Sequence, residues 1–273
     1  MEVDLLEFWV PVESNKTLFV WNITPDLTEA HIYERLDAVF SSYGPLYLLK
    51  VRPNAPLSTP GFNAIIKFYS AAQAGKAQQN TDRQALFQTT PLTVRLSSKQ
   101  TPHFLLGSRP LTYARCVELA NHCLGFNGWT CDIITLKELP AEDVDEDEAG
   151  GRVGVKLGCV VQISFPHHGV TTRGAAVVED VFEREGPEMM LQKRRTLHKL
   201  VRDKAAAQAF STVVLVLLGE GKVMVELRCS AEHLFLEEPE GLIQVHDRDQ
   251  EQVENLPADE DLWENEDLDL SVW

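Results

Sequence analysis

Four strand-like runs alternate with two helical stretches in residues 14–98, and this order constrains the fold more strongly than any other feature of the chain. The strand-like runs read TLFVWNI, LYLLKVR, FNAIIKFYS and PLTVRL, and the helical stretches read TPDLTEAHIYERLDAVFSSYG and SAAQAGKAQQNTD. In the first stretch Ile32, Leu36 and Phe40 recur at helical spacing, and Gly44 ends it. The order β-α-β-β-α-β predicts a ferredoxin-like domain within an α+β protein.

The first strand carries its rings and its aliphatic side chains on opposite faces. Phe19 and Trp21 are two positions apart, so both point to one side of the sheet, whereas Leu18 and Val20 point to the other. We expect the aliphatic pair to pack beneath the helices and the rings to lie on the face without helices. The same alternation in the other strands places cations beside the rings.

This first block resembles the RNA recognition motif family. LFVWNI is similar to the family's first-strand signature of aliphatic, aromatic, aliphatic, any residue, asparagine and aliphatic, and VFSSYGPLYLLKV is similar to its helix-to-strand junction. The resemblance implies that the exposed ring stacks on a base, a contact worth about 1–3 kcal/mol. Cations around two rings suit the phosphates of a single strand. The predicted nucleic-acid-binding residues of this block are Phe19, Trp21, Lys50, Arg52, Asn63, Lys67 and Arg95.

The third strand departs from the RNA recognition motif pattern. That family usually has two aromatic residues where this chain has Asn63 and Ile65, so half of the usual stacking surface is missing. Some divergent members of the fold bind peptides. The sequence therefore leaves an alternative open, a peptide-binding adaptor that uses Trp21 and the acidic carboxyl-terminal segment.

The net charge of −16 argues against a nucleic-acid partner only when it is taken as an average over the chain. Residues 14–99 carry nine basic and five acidic side chains, whereas residues 247–273 carry one basic and eleven acidic side chains. The first block is therefore mildly basic and the carboxyl-terminal segment strongly acidic. The charge of the whole chain does not exclude nucleic acid from the first block.

A second α+β domain is predicted over residues 111–245, after a linker at 99–110. It consists of a helix in LTYARCVELANHCLGF, an antiparallel strand pair in VGVKLGCVVQISF and AAVVEDVF, a long basic helix over about 187–210, and a closing hairpin in TVVLVLL and KVMVELR. TVVLVLL could also extend the helix. The high density of acidic residues at 141–151 indicates a solvated loop. The acidic composition of residues 246–273 indicates a disordered tail.

The segment RCVELANHCLGFNGWT resembles the helix and turn of the Rad fifty-two family of single-strand-annealing recombination proteins. Leu-Ala-Asn, and an aromatic residue before Asn-Gly-Trp, recur in that family and match Leu119–Asn121 and Phe126–Trp129 here. Together with an RNA recognition motif, the resemblance implies a nuclear protein of DNA recombination or the DNA damage response, with a cytoplasmic pool and a homodimeric assembly. Phe126 and Trp129 themselves are expected in the core.

The long basic helix supplies a second set of candidate contacts. At about 100° per residue, Arg195, Lys199 and Arg202 lie on one face, opposite the apolar residues of the helix. In the annealing family this helix lines the groove that holds a single strand, and the match to that family adds Lys204. The helical wheel places Lys204 nearer the apolar face, so the two arguments disagree about it.

The sequence contains no recognisable catalytic arrangement. Five cysteines without CxxC spacing favour reduced thiols over a zinc site or disulfides. His167 and His168 lie in a predicted turn without neighbouring ligands, and we find no phosphate loop, nucleophile elbow or membrane-spanning apolar run. We therefore predict a non-enzymatic protein without cofactor or metal that binds single-stranded DNA and RNA, with an acidic tail available to a protein partner.

Overall fold

The computed structural model describes residues 3–56, 58–97, 109–140, 152–183, 187–218 and 221–228. The predicted acidic loop 141–151, the tail 246–273 and most of the linker 99–110 lie outside the described residues. In chain order the strands and helices are β1 (Val3–Glu7), β2 (Thr17–Ile23), α1 (Glu29–Phe40), β3 (Leu46–Pro53), β4 (Phe62–Phe68), α2 (Ala71–Thr81), β5 (Thr93–Leu96), α3 (Tyr113–Leu124), β6 (Thr130–Leu139), β7 (Arg152–Phe165), β8 (Val170–Glu183), α4 (Pro187–Ser211), β9 (Val213–Leu218) and β10 (Lys222–Leu227).

The first domain has the four-stranded sheet that its sequence pattern predicts. Its strands lie in the order β3-β4-β2-β5, with antiparallel neighbours throughout. The hydroxyls of Thr28 and Ser70 cap α1 and α2 by accepting the backbone N–H of His31 and Gln73. The prediction of an RNA-recognition-motif-like α+β fold is confirmed. The core of this domain includes Leu18, Val20, Ile32, Leu36 and Phe40, which are fully buried.

The second domain is built on a three-stranded antiparallel sheet, β6-β7-β8, with α4 packed against β8 and β7. Every second residue of β7 is buried, from Val155 to Phe165, and forms the side that meets the helix. Gly174 of β8 lies under α4, where a Cβ would overlap the carbonyl oxygen of Ala205. Only glycine at this position allows the helix to lie so close to the sheet.

Strand β6 is absent from the sequence-based prediction, which expected a strand pair. The register of β6 with β7 shifts between Ile133 and Thr135, so Ile134 is an extra residue in a bulge. A bulge breaks the alternation of apolar and polar positions, and most of this edge strand is exposed. The run TCDIITLKEL therefore lacks the period of two by which a strand is recognised.

A second three-stranded sheet joins the two ends of the described chain. β1 pairs with β9, with Val3 opposite Leu218, and β9 pairs with β10 in the predicted hairpin. The residues after β1 run beside the residues before α3. The N–H of Val10 donates to the carbonyl of Arg109 at 3.0 Å, and the N–H of Leu111 donates to the carbonyl of Phe8 at 3.0 Å. The first domain is thus inserted between β1 and the rest of the second domain.

A bulge in β3 places part of the first domain against the core of the second. The register of β3 with β4 shifts between Leu46 and Leu48. Tyr47 and Leu48 consequently pack against the core of the second domain, whereas Leu46 packs against the core of the first. Tyr69, just after β4, joins the same contact with its ring centroid 5.7 Å from that of Tyr47.

Two polar contacts accompany these tyrosines. The hydroxyl of Ser70 donates to Oδ1 of Asp4 at 2.7 Å, and the guanidinium of Arg115 lies 5.8 Å from the centroid of the Tyr47 ring. Burial raises the pKa of the Tyr69 hydroxyl well above its usual range. The contact therefore holds two neutral tyrosines between β3, β4 and the start of α3, and it covers one end of the first sheet.

Candidate nucleic-acid interface

Phe19 and Trp21 lie side by side on the face of the first sheet that faces away from α1 and α2. Both rings are half-buried, so neither is sealed beneath other segments. Their centroids are 5.7 Å apart and their planes differ by 23°. Leu18 and Val20 are fully buried on the opposite side, as the alternation predicts. The two aromatic side chains form one ordered apolar surface that water can reach.

The strand register brings the candidate cations to these rings. Phe19 lies opposite Arg95 of β5 on one side and Ile65 of β4 on the other, and Ile65 lies opposite Lys50 of β3. Arg52 follows one row further along, opposite Asn63. The amide nitrogen of Asn63 donates to Oδ1 of Asn54 at 3.2 Å. We call the set Phe19, Trp21, Lys50, Arg52, Asn63 and Arg95 the ring face.

The three cations of the ring face keep their charge available. Arg95 is exposed, and Lys50 and Arg52 are half-buried. Within the residues that the structure describes, none of the three forms an ion pair. In the part of the chain that the structure describes, their positive charges flank the rings without a carboxylate at ion-pair distance, which is an arrangement that attracts an anion.

Lys67 does not join the ring face, although the sequence predicts it there. It lies on the same side of β4, opposite Thr17 and Leu48, but only 3% of its surface is exposed. This is the end of the sheet that Tyr47, Leu48 and Tyr69 bring against the second domain. At 3% exposure the ammonium of Lys67 does not lie on the open surface, and its placement in the prediction is wrong.

The candidate cations of α4 differ in their surroundings. Arg195 and Lys199 are exposed and make no ion pair among the described residues. Arg202 is half-buried and donates through Nε and Nη2 to Oδ1 of Asp203, at 3.2 and 3.0 Å. The pairing with Asp203, its direct neighbour, weakens the attraction of Arg202 for a phosphate. Helical periodicity predicts which residues share a face and does not report this carboxylate.

Lys204 is exposed, which decides against the apolar position that the helical wheel favours. It lines an open cleft of ≈ 550 Å³ between α4, β8 and the start of α3. Tyr113, Leu200 and Gln208 line the same cleft. The carboxylate of Asp203 also lines it, so a cation, a carboxylate and an amide lie beside an aromatic ring and an aliphatic side chain. The sequence predicts only the cation of this combination.

The turn after α3 separates Phe126 from Trp129, although the sequence predicts both in the core. Gly125 adopts a positive φ of 75°, and a Cβ at the buried Gly128 would overlap the Leu124 carbonyl oxygen. This tight turn returns Trp129 to the domain, where its indole N–H donates to Oδ1 of Asn121 at 2.9 Å. Phe126 remains outside with 85% of its surface exposed, so the prediction is wrong for this residue.

The cysteine and histidine side chains are the residues that could act as nucleophiles or metal ligands. Burial raises the pKa of Cys116 to about 12 and that of Cys123 to about 11, so both thiols stay protonated near neutral pH. His167 and His168 form a short turn between β7 and β8. Among the described residues, no three His, Cys, Asp or Glu side chains are grouped to hold a metal ion. None of the described helices is both long and apolar enough to span a membrane.

Comparison with known proteins relates both domains to one group of relatives. Residues 111–214 match a family model described as "RDM1 DSRM domain". The chain is similar to RAD52 motif-containing protein 1 of Danio rerio, with 49% identity over 98% of this chain and 99% of the relative, and to its namesake in Homo sapiens, with 39% identity over 89% and 88%. It is also similar to the solved structure of the Mip6 RRM3 domain, with 24% sequence identity and a TM-score of 0.27. This similarity covers 33% of this chain and 100% of the Mip6 domain.

Proposed function

We propose that this chain, which belongs to the RAD52 motif-containing protein 1 family, binds single-stranded DNA and RNA through the ring face of its first domain. The family membership agrees with the resemblance found in the sequence. The ring face is the site that carries the proposal. We further propose a role for this binding in DNA recombination or the DNA damage response.

The observation that carries the proposal is the pairing of two accessible rings with three cations that form no ion pair among the described residues. A single strand exposes flat bases and a chain of phosphates, and a protein binds it by stacking the former and attracting the latter. Phe19 and Trp21 supply the flat apolar surface. Lys50, Arg52 and Arg95 supply the positive charge on both sides of it. A duplex, in which the bases are stacked inside the helix, does not offer its base faces to such a surface.

The exposed side of α4 is proposed as a second contact for the same strand. Arg195 and Lys199 can meet phosphates there, and the cleft beside Lys204 can take up an unstacked base. The proposed activity is binding without catalysis. We further propose that the protein is nuclear with a cytoplasmic pool and acts as a homodimer.

Titration of fluorescent single-stranded DNA and RNA oligomers at several salt concentrations tests the proposal. Three phosphate contacts give a slope of about −2 for the logarithm of the association constant against the logarithm of salt concentration. A duplex of the same sequence serves as the control and should bind more weakly at the ring face. An affinity for single strands that does not respond to salt would contradict the proposal.

One observation favours a second candidate function, a peptide-binding adaptor. Ile65 lies between Phe19 and Lys50 in the strand register, where the RNA recognition motif usually has an aromatic ring, and only 8% of its surface is exposed. Half of the usual stacking surface is therefore missing, and the two remaining rings suit an apolar peptide side chain as well as a base. The adaptor predicts that Phe19→Ala leaves the affinity for oligonucleotides unchanged, so one variant separates the two functions.

A further inference from the structure

The end of β2 is held in an unusual conformation directly after Trp21. The register of β2 with β4 shifts between Val20 and Ile23, and Asn22 has a positive φ of 65°. Non-glycine residues adopt this conformation rarely, with asparagine among the more tolerant. Such an irregularity changes the direction of the neighbouring side chains. The position of the Trp21 indole on the ring face therefore depends on what stabilises this bend.

Hydrogen bonds from the segment before β5 stabilise the bend. The side-chain amide of Gln88 donates through Nε2 to the carbonyl of Asn22 at 2.7 Å, and its Oε1 accepts the N–H of Thr24 at 3.0 Å. The same Nε2 donates to the carbonyl of Thr90 at 2.9 Å. Asn22 in turn donates through Nδ2 to the carbonyl of Pro91 at 2.7 Å.

Gln88 is therefore bonded on both sides of the bend and to its own loop. Its amide replaces the strand-to-strand hydrogen bonds that β2 cannot make where its register shifts. Trp21 lies opposite Thr93, the first residue of β5, so its backbone pairs with the strand that begins directly after the loop that Gln88 anchors. Any change in the geometry of the bend shifts this ring relative to Phe19.

We infer that Gln88 is a positioning residue of the ring face, which holds Trp21 in the orientation that stacks on a nucleic-acid base. This inference rests on the proposed function. Gln88 acts through the bend at Asn22 and needs no contact with the ligand itself. A ring already held in place binds more tightly because less ordering is required on binding.

A double-mutant cycle on the full-length chain tests the inference, with a fluorescein-labelled oligothymidylate as the probe. Gln88→Ala should weaken binding by roughly three- to tenfold, since the bend relaxes and the ring loses its fixed orientation. In a Trp21→Ala background, the same substitution should change the affinity by less than about twofold, because the ring through which Gln88 acts is missing. Gln84→Ala is the matched control, an exposed glutamine in the same loop that should leave binding unchanged.

Gln88→Glu gives a second variant with nearly the same shape. It keeps the acceptor for the Thr24 N–H, removes the donors to Asn22 and Thr90 and adds a negative charge, so we expect a loss at least as large as in Gln88→Ala. An equal loss from Gln88→Ala with and without Trp21 would overturn the inference. So would wild-type affinity in both Gln88 variants when Trp21→Ala alone weakens binding. Wild-type affinity in Trp21→Ala would instead contradict the proposed function of the ring face.

Discussion

The ring face and the outer side of α4 both carry cations that the sequence predicts, but they arrange these charges by different physical means. On the ring face, four antiparallel strands fix the spacing of Lys50, Arg52 and Arg95 around the rings, and neighbouring carboxylates do not compensate them within the described residues. On α4, the cations extend along one row of a single helix, and Arg202 is paired with Asp203. A sheet thus offers a preorganised surface, whereas the helix offers mainly charge.

The largest loss of affinity is expected when an aromatic ring of the ring face is removed. Phe19→Ala should weaken the binding of single-stranded oligomers by about five- to a hundredfold, because base stacking on one ring is worth about 1–3 kcal/mol. Fluorescence anisotropy titration of the full chain measures it. Tyr33→Ala is the control, since Tyr33 is an aromatic residue with 45% exposure on helix α1, away from the ring face. Equal losses in both variants would remove the distinction between the ring face and the rest of the surface.

A smaller effect is expected for a single cation of the ring face. Arg95→Gln removes one phosphate contact, so the salt slope should become less steep by about 0.7 and the affinity at 0.15 M salt should fall by about fourfold. The titration is repeated at several salt concentrations. Arg83→Gln is the matched control, an exposed arginine beside Asp82 in the loop after α2. An unchanged slope in Arg95→Gln would contradict a phosphate contact at this position.

The helix surface should contribute less than the ring face. Lys199→Gln is expected to weaken binding by about twofold, since an exposed side chain on α4 gains one partly formed phosphate contact. Arg202→Gln should weaken it less, because Asp203 already compensates that charge. The same salt series compares the two variants. A larger effect for Lys199 than for Arg95 would reverse the order of the two surfaces.

No effect on binding is expected for the lysine that the fold buries. Lys67→Met should leave the salt slope unchanged, because 3% exposure keeps the ammonium away from a bound strand. The thermal midpoint of unfolding is measured alongside, and the titration is made at a temperature where the variant is folded. A decrease of the slope by the same 0.7 as in Arg95→Gln would mean that the covered end of the sheet opens in solution.

The alternation of side chains along each β-strand made much of the ring face predictable. Phe19, Trp21, Lys50, Arg52 and Arg95 share one face because a strand repeats every two residues, and that period can be counted in the sequence. The first helix of the first domain was predictable from a local repeat as well, because Ile32, Leu36 and Phe40 recur at helical spacing.

Irregular positions escaped the sequence argument. The bulges at Leu46–Leu48 and Ile133–Thr135 break the alternation, which is why β6 and the contact made by Tyr47 were not predicted. Phe126 is exposed because the turn at Gly125 and Gly128 directs the chain, a geometry that hydrophobicity does not report. Lys67 obeys the alternation and is nevertheless buried, since the alternation fixes the side of the sheet on which a residue lies and not what covers that side.

The amino-acid sequence by itself determined which side chains share a face, because that depends only on the repeat of a local backbone conformation. The tertiary structure decided which part of the face stays open and which is covered. Strand β1 pairs with β9, and Tyr47 and Tyr69 meet the core of the second domain, through contacts between residues far apart in the chain. Such contacts are selected by packing over the whole fold, and no short stretch of sequence contains them.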